Sequence, residues 1–297
     1  MARGNAQAKQ PKGQVIAVLN MKGGVGKTTI TANVFRQFYL HKGKRVLLID
    51  FDPQFNLSQT VFTQAIYERL KKEKRTILAV MEDTSEPSLY DTGKHSRPVP
   101  APADLACKLK YRPDHPTAKL DLIAGDFDMV KFSLENSNSV LKAAKQRFVS
   151  FLGMAQAEYD LICIDCNPSS TFMTTCAISV STHILVPVKP DRYSILGLKM
   201  LDTFVDRLTD IVKKPEKIVL LNGVPKSNYD PEVENALRSD PVFGPQTLAS
   251  SLYETTLLNA RPNYTGFATD KKIAHSKVLK ANIAKIVNEL HDALGMS

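Results

Sequence analysis

Residues 14–20, QVIAVLN, hold a continuous apolar run that leads directly into Met21-Lys22-Gly23-Gly24-Val25-Gly26-Lys27-Thr28-Thr29. An apolar run that ends in a glycine-rich turn suits a strand buried on both faces, and a helical pattern opens at Thr28. Strand, glycine loop and helix in that order make a cradle for phosphate. Glycines reach torsions that other residues resist, successive N–H groups turn inward, and the helix presents its positive end. In such a loop Lys27 sits against the β and γ phosphates of a nucleotide, and the Thr28 hydroxyl ligates Mg²⁺. Gly23, Gly24, Val25, Gly26 and Thr29 complete the candidate nucleotide site. The strict pattern G-x-x-x-x-G-K-[ST] asks for glycine where Met21 stands, and a second lysine, Lys22, follows it.

Five further runs have the same character: KRVLLID (44–50), KLDLIAG (119–125), YDLICID (159–165), THILVPV (182–188) and KIVLLNG (217–223). Helical patterns fill residues 28–41, 139–157 and 195–212. This alternation implies βαβ crossovers, so the expected fold is a doubly wound α/β domain with a mainly parallel sheet and helices on both faces. One such domain is expected over residues 14–297. Residues 1–13 carry Arg3, Lys9 and Lys12 without an acid and read as a basic flexible arm. Residues 83–118 hold six of the seventeen prolines and are expected to form an irregular surface insertion. Val278, Leu279, Ile283, Ile286, Val287, Leu290 and Leu294 recur at helical spacing and predict a final amphipathic helix.

Composition narrows the class. With 43% hydrophobic and 23% charged residues in 297, a wholly disordered, collagen-like or coiled-coil chain is excluded. No apolar stretch approaches the roughly 18 residues of a membrane span, so no crossing of a bilayer is expected. Four cysteines without a secretory pattern point to a reducing cytosol. Cys163 and Cys166 flank Asp165 on an expected strand, face opposite ways and read as core rather than a metal clip. The net charge of +9 favours a polyanionic partner.

Two of the runs end in carboxylates. Asp50-Phe51-Asp52-Pro53-Gln54-Phe55-Asn56 closes one, and Asp165-Cys166-Asn167-Pro168-Ser169 closes another. The lysine-doubled loop KGGVGKTT resembles the deviant P-loop of the ParA/MinD family of ATPases, and within it the ParA/Soj-type partition proteins. The first aspartate segment is similar to that family's D-x-D-P-Q-x-N switch. The second is similar to its metal-binding D-x-P-P-S box, with Asn167 where the family has proline. The resemblance covers residues 14 to about 225 and is weaker beyond.

Chemistry and resemblance together give Asp165 the task of binding Mg²⁺ through water and Asp52 that of holding the attacking water, with Asp50 supporting the outer shell of the metal. The resemblance implies ATP and Mg²⁺ as cofactors and a homodimer formed on ATP binding. In that dimer Lys22 reaches the partner's phosphates and Gly23 lies at the closest approach. It also implies that Asn222 and Pro225 contact the adenine base, and that an adaptor of the ParB kind, or a cargo, stimulates a slow ATPase.

Three functions follow from this pattern. The first is a partition or positioning ATPase, cytoplasmic and associated with the nucleoid, that binds DNA non-specifically as an ATP dimer. For it, Lys271, Lys272, Lys277, Lys280 and Lys285 are the expected DNA contacts. The alternative is a MinD-like membrane-cycling ATPase, which needs a basic amphipathic helix able to lie on lipid. The final helix has Glu289 and Asp292 among its lysines and no Trp or Phe on its apolar side, which argues against a membrane partner. The third is a small-molecule ligase or reductase on the same scaffold. With thirteen residues ahead of the core, no preceding DNA-reading helix-turn-helix is expected.

Overall fold

The computed structural model describes residues 12–82, 98–111, 114–169, 171–211, 213–259, 264–270 and 275–296. Most of the basic arm, including Arg3 and Lys9, lies outside the described residues, as do Lys271 and Lys272 and the 83–97 part of the Pro-rich stretch.

Eight strands form one sheet: β1 (Gln14–Val18), β2 (Arg45–Asp50), β3 (Cys107–Tyr111), β4 (Lys119–Ile123), β5 (Leu161–Asp165), β6 (His183–Val188), β7 (Glu216–Val224) and β8 (Leu252–Tyr253). Their spatial order is β3-β4-β2-β5-β1-β6-β7-β8. Only β3 runs antiparallel, against β4; the other neighbours are parallel. The six central strands are the six apolar runs: five are shorter than their runs by one or two residues, and β7 is longer by one at each end. β1 sits mid-sheet, and the chain crosses to β2 on one side of it and later to β6 on the other. That reversal opens a crevice at the carboxyl ends of the strands, where α/β sheets place their ligands.

Alternate residues of each strand feed two cores. Val15, Ala17, Leu47, Ile49, Ile162 and Ile164 face one side, under the long helix Asn138–Glu158, which contributes Phe148 and Phe151. Ile16, Val18, Val46, Leu48 and Cys163 face the other, against Phe35, Phe38 and the C-terminal helix Ser276–Ala293. Each large apolar side chain so buried contributes roughly 1.5–3 kcal/mol. Cys163 and Cys166 fall in opposite cores as free, buried thiols, in keeping with a packing role.

The structure departs from the sequence reading in four places. The helix expected over 28–41 is two helices, Lys27–Asn33 and Phe35–Lys42, joined at Val34, and Gly43 in the left-handed region (φ 61°) ends the second. Within the stretch expected to be irregular, Pro102 starts a short helix, Pro102–Leu105, at the position where a helix needs no N–H donor. The chain then enters β3, whose register shifts between the exposed Lys108 and Lys110. In the C-terminal helix Leu279, Ile283, Ile286, Val287 and Leu290 are buried, but Val278 is half exposed, because it falls on the outer face with Ala281 and Lys285. β8, at the other edge, was not foreseen. Asn282 binds its backbone twice, accepting from Tyr253 N at 3.1 Å and donating to Ser251 O at 2.9 Å.

Candidate nucleotide site at the carboxyl ends of the strands

The loop after β1 turns through two left-handed glycines, Gly24 (φ 71°) and Gly26 (φ 89°), and Gly26 caps the helix Lys27–Asn33. A Cβ on Gly26 would lie 2.2 Å from Asn222 Nδ2, so glycine is required there by torsion and by space. Asn222, near the end of β7, donates to Val25 O at 2.7 Å. Its amide nitrogen thereby helps to hold the loop. Pro225 follows the end of β7 and is half-buried. Gly23 and Gly24 are exposed with open space around them.

Lys27 is buried, and its Nζ donates weakly to Asn20 O and Lys22 O, both at 3.4 Å. Burial lowers its pKa, while Asp165 and Asp52 pull the other way. Thr28 Oγ1 donates to Asp165 Oδ2 at 2.8 Å and Thr31 Oγ1 to Asp165 Oδ1 at 3.0 Å. Two hydroxyls one helical turn apart thus hold both oxygens of the carboxylate at the end of β5. Thr29 sits beside Thr28 in the first turn, its carbonyl bonded by Asn33 Nδ2 at 3.0 Å.

Asp50 and Asp165 are paired in register on β2 and β5, which puts two buried carboxyls side by side. Burial first, and then Asp165, pushes Asp50 up to about 8; burial pushes Asp165 up to about 7. Asp50 Oδ2 accepts from Ser58 N at 2.7 Å and Ser58 Oγ at 2.6 Å, whereas its Oδ1 is buried without a hydrogen-bond partner. An orphaned carboxylate oxygen beside a threonine-held one suits a hydrated cation. Among the described residues no group of three or more His, Cys, Asp or Glu side chains could hold a metal by itself. That donor set fits Mg²⁺, which keeps waters and takes oxygens from a phosphate, rather than a metal caged by protein alone.

Asp52 is buried and raised by that burial, with Lys27 opposing. Its turn is tight: Gln54 N donates to Asp52 Oδ1 at 2.9 Å and Phe55 N to Asp52 O at 2.8 Å. Phe55 closes the turn at φ 42°, ψ 38°, a left-handed conformation that costs a side-chain-bearing residue roughly 1–2 kcal/mol. Its ring stacks on Tyr67 at 4.7 Å between centroids and 3° between planes, a contact that contributes about 0.5–1.5 kcal/mol.

Lys22 forms an exposed ion pair with Asp191, just past β6. Its backbone N–H donates to Asn20 Oδ1 at 2.9 Å, and Asn20 Nδ2 in turn donates to Pro187 O at 2.7 Å. The structure therefore brings Lys22, Lys27, Thr28, Asp50, Asp52 and Asp165 to one crevice. The C-terminal Lys277, Lys280 and Lys285 lie elsewhere, exposed on the outer face of their helix. Four supports escaped the sequence reading: Asn20, Thr31, Ser58 and Asp191. Thr31 was within reach of it, since a residue three past Thr28 shares its helix face.

A family model described as AAA domain (AAA_31) matches residues 13–218. The chain is 28% identical over 225 residues to an uncharacterised protein of Mycobacterium tuberculosis; the match covers 75% of this chain and 60% of that one, so this chain spans less than two thirds of that relative's length. It is 29% identical over 217 residues to the chromosome partitioning protein ParA of Caulobacter vibrioides, covering 73% and 70% of the two chains. The structure of pNOB8 ParA bound to nonspecific DNA is similar in fold, with a TM-score of 0.65 at 19% identity over 94% of this chain and 99% of that one. A family match that spans more than half of the chain assigns this protein to the AAA_31 P-loop family, with ParA-type partition ATPases among its relatives.

Proposed function

We propose that this protein is an ATPase that dimerises on ATP, binds DNA without sequence preference and drives the partition or positioning of DNA or another cargo. The observation that carries the nucleotide reading is the Thr28–Asp165 hydrogen bond beside buried Lys27, which sets a hydroxyl, a carboxylate and a cation at one helix N-terminus. In this reading Lys27 and the N–H groups of residues 23–29 would bind the phosphates, and Thr28, Asp165 and Asp50 would hold Mg²⁺, Asp50 by supporting it through other groups. The ion would neutralise charge on the β and γ phosphates. Asp52 accepts a hydrogen bond from the attacking water and orients it. Lys22 leaves Asp191 to reach the phosphates of a second copy, which ties dimerisation to ATP. Turnover is slow until an adaptor of the ParB kind acts.

Non-specific DNA is the favoured partner because Lys277, Lys280 and Lys285 stand exposed on one helix and suit phosphate contacts. Lys271 and Lys272 extend the same cluster in sequence. A membrane role is disfavoured, since that helix buries its apolar residues against the protein, and among the described residues no helix is long and apolar enough to cross a membrane. Co-sedimentation with unrelated duplex DNA and with anionic vesicles, each with and without ATP, tests the assignment. Retention on DNA only with ATP is the expected result; retention on vesicles alone would favour the membrane-cycling reading.

A further inference from the structure

We propose that Asn20 and Asn222 are positioning residues that pin the phosphate loop to β6 and β7 and so turn its N–H groups toward a triphosphate. The inference rests on the reading of residues 23–29 as the phosphate cradle.

A loop of this kind binds phosphate only when its peptide planes are turned, with N–H groups inward and carbonyls outward. Glycines permit that turn and do not enforce it. At Val25 the enforcement is a direct bond, because Asn222 Nδ2 donates to the Val25 carbonyl at 2.7 Å. The peptide that joins Val25 to Gly26 is planar and trans, so its N–H points the opposite way from its carbonyl. Drawing the carbonyl toward β7 sends the Gly26 N–H away from β7. Among the described residues that N–H has no protein acceptor, which leaves it for a ligand oxygen.

β7 itself aims the amide. Its register with β8 shifts between Asn222 and Val224, and Gly223 between them stands at φ 69°. A shift of this kind re-aims the neighbouring side chain, and here that side chain meets the loop. Asn20 fixes the entry to the same loop, since its Oδ1 accepts from Lys22 N at 2.9 Å while its Nδ2 donates to Pro187 O, on β6, at 2.7 Å. One donor and one acceptor as partners decide which way that amide faces. Both asparagines are buried, so each bond is made from a fixed place in the sheet layer.

The test is the affinity of the full chain for ATP and for inorganic triphosphate, each with Mg²⁺, measured by displacement of a fluorescent ATP analogue. Asn222→Ala and Asn20→Ala are each expected to weaken both ligands by the same factor, about three- to tenfold, the equivalent of one net hydrogen bond. In ATP hydrolysis KM should rise by that factor while kcat at saturating ATP stays within about twofold, because binding is lost and the reacting groups are untouched. A contact between Asn222 and the base alone gives another result: ATP affinity falls and triphosphate affinity stays, which overturns the proposal for Asn222. A purely structural amide lowers the melting temperature and leaves both affinities intact well below it, which overturns the proposal for the residue concerned. A wild type that binds ATP and no triphosphate also counts against it, since a loop held in shape takes phosphates by themselves. Should an alanine variant fail to fold, the serine variant, whose hydroxyl stops a bond short of the amide nitrogen, takes its place with the same outcomes. Lys27→Ala run in parallel separates the two readings. Wild-type affinity for both ligands in Lys27→Ala overturns the phosphate cradle itself, whereas lost affinity there beside normal triphosphate binding by the asparagine variants overturns only the pins.

Discussion

The Thr28 hydroxyl donates to Asp165 Oδ2 at 2.8 Å, joining the first turn after the phosphate loop to the end of β5. Thr31 holds the other oxygen of the same carboxylate, so Asp165 is oriented by the helix that Lys27 begins. Lys27→Ala is expected to lower ATP affinity by at least about a hundredfold, because the cation facing the β and γ phosphates is lost. Isothermal calorimetry with Mg-ATP measures it, and undiminished affinity would remove the loop from nucleotide binding.

Lys22→Ala is expected to keep nucleotide but to lose the ATP-dependent dimer in light scattering. Asp191→Asn should act in the opposite direction, because Lys22 must leave Asp191 before it can serve a second copy. The pair is exposed, and such pairs contribute about 0–1 kcal/mol, so the ATP concentration needed for dimerisation should fall by no more than about fivefold. Dimerisation of Lys22→Ala at wild-type ATP concentrations would end the cross-subunit assignment.

Replacing Lys277, Lys280 and Lys285 together by Glu is expected to weaken binding of unrelated duplexes at least about tenfold while ATP-driven dimerisation continues. For the wild type, affinity should drop steeply with salt as counterions are released. Gel shifts over a salt series check both statements; unchanged binding by the triple variant would move the contact off this helix.

Burial raises Asp50 to about 8 and Asp165 to about 7, both from 3.8. Each carboxyl therefore binds its proton more tightly folded than unfolded. The stability this confers is complete below the unfolded value and is lost as pH rises through the folded value. Nucleotide-free protein is expected to melt lower at about pH 8 than at about pH 5.5, and Asp50→Asn, which cannot ionise, should reduce that difference. Its amide oxygen can still accept from Ser58. Parallel pH slopes for the two proteins would show that Asp50 is not the source.

The parts of the fold legible in the sequence were those in which burial and period coincide. A parallel strand covered on both faces needs apolar residues throughout, and six such runs stand out. β3, CKLKY, alternates because it lies at an edge, and its Pro-rich surroundings hid it. β8 has two residues, too few to make a pattern. Within the site, the places of Lys27, Thr28, Asp50 and Asp165 are legible because each is set by its position relative to a strand end. Ser58 and Asp191 were not, because each reaches its partner only after the chain has turned or crossed the sheet. The torsion of Phe55 left no trace in composition; only the backbone reveals it. The bond from the Asn222 amide to the loop carbonyl of Val25 joins residues 197 positions apart and has no signature in the sequence.

An edge strand offers unpaired N–H and C=O groups to any passing chain. At β8 the Asn282 side chain occupies Tyr253 N and the Ser251 carbonyl just before the strand, and at β3 the ladder is kinked between two exposed lysines. Among the described residues, fibre growth by strand addition thus finds no ready template at either end of the sheet. If copies gather along DNA as proposed, they could then reach high local concentration without seeding aggregation.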